Sequence, residues 1–78
     1  MLTPSVPELA NIFRLTETEA EVVLSLARRM TPWAIARARG VSVYTVQGHI
    51  RRAMCKCGAR TQSALVAQVV GCRAAAAG

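Results

Sequence analysis

Gln47 and Arg51 stand one helical turn apart on either side of Gly48, within the stretch SVYTVQGHIRR at residues 42–52. An arginine can present a bidentate fork to guanine O6 and N7, and a glutamine can do the same for adenine N6 and N7. Ser42, Tyr44 and Thr45 come just before them, at a helix start whose free N–H groups and neighbouring hydroxyls suit phosphate oxygens. Arg52, Lys56 and Arg60 follow as further cations for phosphate. Gly48 is the odd member, because inside a helix it costs about 1 kcal/mol relative to alanine. A missing side chain on an outward face lets the helix backbone approach base edges closely, and helix propensity is then exchanged for access to a groove. The chemistry these residues suit is the reading of a DNA duplex.

That use requires a helix that presents them together. Residues placed at steps of about 100° give a Val46–Ile50–Ala53 stripe, with Tyr44, Gly48, Arg51, Arg52 and Cys55 opposite and Gln47 at the edge. Val43, Met54 and Cys57 widen the apolar stripe, Ser42 caps the helix and Gly58 stops it, which gives residues 43–57. Three more helices carry their own punctuation. Thr16 with Glu19 three residues on is a capping box, and it opens a helix with Val23, Leu26, Ala27 and Met30 on one face. Thr31 followed by Pro32 opens a short helix that Gly40 ends. Thr61 caps a last helix that runs to about Gly71. No segment alternates with the period of a strand, so the fold class is all-α, with four helices. The link RGVS between the second and third helices allows only a tight bend, as in a helix-turn-helix, whose second helix enters the major groove. Residues 1–13, with Pro4 and Pro7, suggest a flexible leader or linker remnant, residues 14–72 the domain, and residues 73–78 a disordered tail.

Charge points to the same partner. The chain has 78 residues and a formal net charge of +6. All four acids (Glu8, Glu17, Glu19 and Glu21) precede residue 22, and nine of the ten basic residues follow it. A field this one-sided attracts polyanions. An amphipathic membrane binder would need one long helix, and the breaks at 30–31, 40–42 and 58–61 speak against it. An enzyme is the least expected class, with one histidine, no aspartate and 4% aromatic residues. Cys55, Cys57, Cys72 and His49 lack the paired spacing of a zinc site, so neither metal nor cofactor is expected. No apolar run or basic leader marks a membrane span or secretory signal, which leaves the cytoplasm, at the nucleoid, as the expected place.

The stretch from Leu15 to Val66 resembles the DNA-binding domain of LuxR/GerE-type bacterial transcription regulators. The matching pieces are LTxxExxV at 15–22, IA at 35–36, VS at 41–42, TVxxH at 45–49, KxG at 56–58 and RxQxxLV at 60–66. The resemblance implies a four-helix domain that dimerises on DNA, with base contacts from Gln47, Gly48 and Arg51. It also implies that Thr45 and Val46 approach the DNA backbone. There are departures: Gln47 stands where lysine or arginine is frequent, and Arg29 where glycine is usual between the first two helices. Pro32 and Trp33 replace polar residues, and Trp33 either meets a partner or, as preferred here, folds back on the core. His49 lies on the flank of the apolar stripe and reads as structural.

The last helix bears on assembly. Leu65, Val69 and Cys72 make an apolar stripe, while Ser63, Ala64, Ala67, Val70 and Gly71 make a second face without charge. Small uncharged residues let two helices come close, so this face is expected to meet its twin in a homodimer. RNA polymerase or another regulator is a further partner to expect. The rival reading is a protein-interaction module that pairs with a longer LuxR-type regulator and modulates or blocks it.

Overall fold

The computed structural model describes the backbone of residues 5–77 and the side chains of residues 5–71. Within them the chain forms α1 (Val6–Phe13), α2 (Glu17–Ala27), α3 (Pro32–Arg39), α4 (Val43–Cys57) and α5 (Gln62–Ala77). The four expected helices are α2 to α5, and no strand occurs among the described residues.

α1 lies inside the stretch that the sequence suggests is a leader. Ser5 caps it: its hydroxyl accepts the Glu8 N–H at 3.3 Å, and the Glu8 carboxylate accepts the Ser5 N–H at 3.3 Å. This is the same capping box as at Thr16, where the corresponding distances are 3.1 and 3.0 Å. The helix docks because Leu9 is fully buried in the shared core, with Val6, Ala10 and Phe13 packed around it. Prolines 4 and 7 suggested irregular chain, yet Pro7 sits in the first turn, where a missing N–H costs nothing.

α2 is the central post. It packs on α1, α4 and α5, and buries Ala20, Val22, Val23, Leu24 and Leu26. It ends at Ala27 rather than running on through Met30, because Arg29 turns left-handed at φ 66°. The Arg29 N–H then donates to the Leu26 carbonyl at 2.9 Å, and the Met30 N–H to Ser25 at 3.1 Å. Such a reversal is normally built on glycine, and arginine pays roughly 1–2 kcal/mol to adopt it. The glycine usual at this position is therefore missing while the turn it would make is kept.

α3 and α4 are set by stronger punctuation. Thr31 caps α3 by accepting the Ala34 N–H at 3.1 Å, and Gly40 ends it at φ 69°. Val41 donates back to the Ala36 carbonyl at 3.0 Å, and within two residues Ser42 caps α4 through the Thr45 N–H at 3.2 Å. So short a bend leaves α3 packed on α4. α4 turns Val46, Ile50 and Ala53 into the core and ends at Gly58, φ 68°. Thr61 then accepts the Ala64 N–H at 3.0 Å, and α5 seals the core with Leu65 and Val69. α5 continues to Ala77, through the segment that the sequence suggests is a tail. Cys72, the third member of the expected α5 stripe, lies outside the residues whose side chains are described.

Candidate nucleic-acid interface

α4 has an empty side. Val46 is 0% exposed and Ile50 5%, while Tyr44 on the opposite side is 81% exposed. Gln47, Arg51, Arg52 and Cys55 are exposed beside it. Gly48 lies among them, and a Cβ built on it would meet nothing within 4 Å. No neighbour inside the molecule therefore demands a glycine there, nor does its backbone, which has ordinary helical dihedrals. The missing side chain leaves the α4 backbone bare on its outer face at this point.

Beside this face runs a groove of about 360 Å³, lined by Pro32, Gln47, Ile50, Arg51, Met54 and Gln62. It brings the first turns of α3 and α5 to the flank of α4. Gln47, Ile50, Arg51 and Met54 follow the i, i+3, i+4, i+7 ridge of one helix, so one wall of the groove is α4 itself. Gln47 and Arg51, each able to hydrogen-bond as a bidentate fork, line the groove together with the apolar Pro32, Ile50 and Met54. Pro32, Met54 and Gln62 were not among the sequence-derived site residues. Periodicity within one helix cannot reveal what a neighbouring helix contributes.

The cations divide into two groups. Two ion pairs occur among the described residues. Arg39 of α3 holds Glu21 of α2 at 2.6 Å, and Lys56 of α4 holds Glu19 of α2 at 2.7 Å. The Glu19 side chain is only 3% exposed and that of Lys56 38%. Burial by itself would raise the Glu19 pKa. The hydrogen bond and charge of Lys56, with the Thr16 N–H and hydroxyl, outweigh burial and hold the carboxyl below its ordinary value. Lys56, expected from the sequence to meet phosphate, thus ties the end of α4 to the start of α2 in the free protein. Arg51, Arg52 and Arg60 are exposed and form no ion pair among the described residues.

The remaining candidates fall as follows. Ser42, Tyr44 and Thr45 crown the start of α4, all exposed, with the Ser42 and Thr45 hydroxyls 3.1 Å apart. Val46 lies wholly in the core, so its side chain reaches nothing on the outer face. His49 is half-buried on the flank, and its Nδ1 is buried without a hydrogen-bond partner in the structure. Trp33, expected to pack inward, is instead 69% exposed. Burial pushes the Cys57 thiol pKa up, and the Cys57 carbonyl accepts a hydrogen bond from Gln68 Nε2 at 3.0 Å, which joins α4 to α5. On α5, Ser63, Ala67, Val70 and Gly71 are exposed and Ala64 is half-buried. No helix among the described residues is long and apolar enough to cross a membrane.

Against known proteins, the family described as "Bacterial regulatory proteins, luxR family" (GerE) matches residues 14–69. The matched span covers α2, α3, α4 and the first half of α5, and it leaves α1 outside. No curated protein and no solved structure matches the chain.

Proposed function

The chain belongs to the LuxR family of bacterial regulatory proteins, a family of DNA-binding domains in transcription regulation and not of enzymes, and we propose that its α4 reads duplex sequence in the major groove. The observation that carries this reading is Gly48: a helix-interior glycine with open space before it, flanked by exposed Gln47 and Arg51. In the proposed complex the α4 backbone at Gly48 sits against the base edges. Arg51 forks onto a guanine and Gln47 onto an adenine. Ser42, Tyr44 and Thr45 at the helix start, with Arg52 and Arg60, hold phosphates and fix the register. The protein acts at the nucleoid in the cytoplasm.

Two measurements test it. Selection of bound duplexes from a random pool yields a motif containing a guanine that Arg51→Ala no longer prefers. The affinity for that motif falls steeply with salt, since each neutralised phosphate releases counterions, and Arg60→Ala makes the slope shallower by about one. An unenriched pool together with salt-independent binding contradicts the reading.

We also propose that two copies meet through α5. Its exposed Ser63, Ala67, Val70 and Gly71 carry no charge, where a solvent face ordinarily would. A two-fold axis there would present two α4 helices to successive major grooves, about one helical turn apart on a palindromic site. Ala67→Arg opposes two cations at that axis. It is expected to abolish cooperative binding to a two-half-site duplex while sparing one half-site; unchanged cooperativity places the dimer elsewhere.

A further inference from the structure

Trp33 is the chain's one tryptophan, and it is among the most exposed large apolar residues of the fold. It stands in the first turn of α3, whose Ile35 and Ala36 face the core. Arg37, one turn on from Trp33, is exposed as well. A large ring in water stabilises nothing by itself, so its placement has to be judged by what surrounds it.

Two observations say what does. Pro32, the residue before Trp33, lines the same groove as Gln47 and Arg51, so the first turn of α3 borders the reading face of α4. The surrounding charge is of one sign. Arg28, Arg29 and Arg37 are exposed near Trp33 in sequence, the chain has no acid after Glu21, and Glu21 is itself held by Arg39. In a helix-turn-helix the helix before the recognition helix crosses the DNA backbone. The start of α3 also carries the positive end of its dipole.

We propose that Trp33 is a DNA-backbone contact: the indole packs on a deoxyribose at the edge of the site and its Nε1–H donates to a phosphate oxygen. This rests on the DNA reading above and adds to it a contact with no charge. Indole combines an apolar body with one donor, which suits the alternating sugar and phosphate of a strand. The contact has a signature that no arginine shares. It releases no counterion, so its loss lowers affinity for every sequence alike and leaves the salt slope unchanged.

The experiment uses the whole chain and two probes, the selected duplex and a duplex of random sequence. Because Trp33 is the only tryptophan, its fluorescence reports the contact directly. Saturation with either duplex is expected to shift and quench the emission. Trp33→Ala, at an exposed position and checked by circular dichroism, should weaken both duplexes about tenfold, the worth of one hydrogen bond to a charged group, with an unchanged slope. Trp33→Phe keeps the packing and loses the donor, so it should fall between the two. A wild type that binds both duplexes with unmoved emission, or a Trp33→Ala variant that binds them as tightly as the wild type, overturns this proposal alone. An emission shift produced by an acidic polypeptide such as polyglutamate and not by DNA also overturns it, in favour of a protein partner. A wild type that binds no duplex removes the DNA reading and this contact together.

Discussion

Arg51 and Lys56 sit on one helix and carry the same charge, yet they face different partners. Lys56 reaches back to a carboxylate buried in α2, at 2.7 Å, and closes the fold. Arg51 looks outward beside a glycine whose missing Cβ nothing in the molecule requires. Both appear in sequence as cations on an acid-free stretch, and a count of charges gives them one role. What separates them is a partner far away in the chain. Glu19 belongs to the first turn of α2, where its carboxylate accepts both the Thr16 N–H and the Lys56 ammonium. Net charge therefore overstates the cations left for a polyanion, because two of the acids hold Lys56 and Arg39 in place.

The comparison breaks most visibly if the two cations are exchanged for neutral side chains of similar length. Lys56→Met leaves Glu19 buried without its counter-charge. Removing one partner of a fully buried pair costs 3–5 kcal/mol, and with Lys56 itself partly in water about 1–3 kcal/mol is expected here. Urea denaturation should show that loss, while the DNA salt slope stays as in the wild type. Arg51→Met should do the reverse: stability within about 0.5 kcal/mol of wild type, and about 1–3 kcal/mol lost on the preferred duplex. A Lys56→Met protein of wild-type stability whose slope has become shallower would return Lys56 to the phosphates.

Acid sharpens the same contrast. The Glu19 carboxyl sits below its ordinary pKa in the folded state, so the folded protein holds on to the ionised form more strongly than the unfolded chain does. Its contribution is complete above the unfolded carboxylate value, about 4.3, and is lost as pH falls through that value towards the lower folded one. Stability of the wild type should therefore drop as pH falls below the ordinary carboxylate range, more steeply than that of Glu19→Gln. Equal slopes for the two proteins would mean that the pair contributes nothing to the acid limb.

The smallest expected effect concerns the turns. Gly40 and Gly58 bracket α4 with left-handed residues, and Arg29 does the same work at the end of α2 with a side chain ill suited to it. Arg29→Gly relieves that conformation at some cost in unfolded-chain entropy, for a net gain of about 0.5–1 kcal/mol and a rise of a few degrees in Tm. A Tm that falls instead would show that the Arg29 side chain stabilises the turn through contacts of its own.

The order and ends of α3 and α4 were legible in the sequence because their signals are local: a hydroxyl cap, a proline at the first position and a terminal glycine act within a few residues. The exposed face of α4 was legible for the same reason. α1 carries an equally local signal, Ser5 with Glu8 three residues on, but two prolines nearby masked it, and only the burial of Leu9 shows that the helix belongs to the core. The roles of Lys56, Val46 and Trp33 depend on packing between helices. Spacing along one helix does not carry that information: Lys56 needs Glu19 of α2, Val46 is closed over by the core, and Trp33 is left out of it.

The claim on which the rest depends is that the bare backbone at Gly48 meets base edges. Gly48→Leu tests it most directly, because its Cβ meets nothing within 4 Å in the free protein and it replaces a poor helix former with a good one. Thermal stability should hold or rise by up to about 1 kcal/mol. The ratio of affinities for the selected duplex over a random one, measured at a single salt concentration, should collapse towards unity. A stable Gly48→Leu protein that keeps the wild-type ratio would contradict the close approach and, with it, the placement of α4 in the groove.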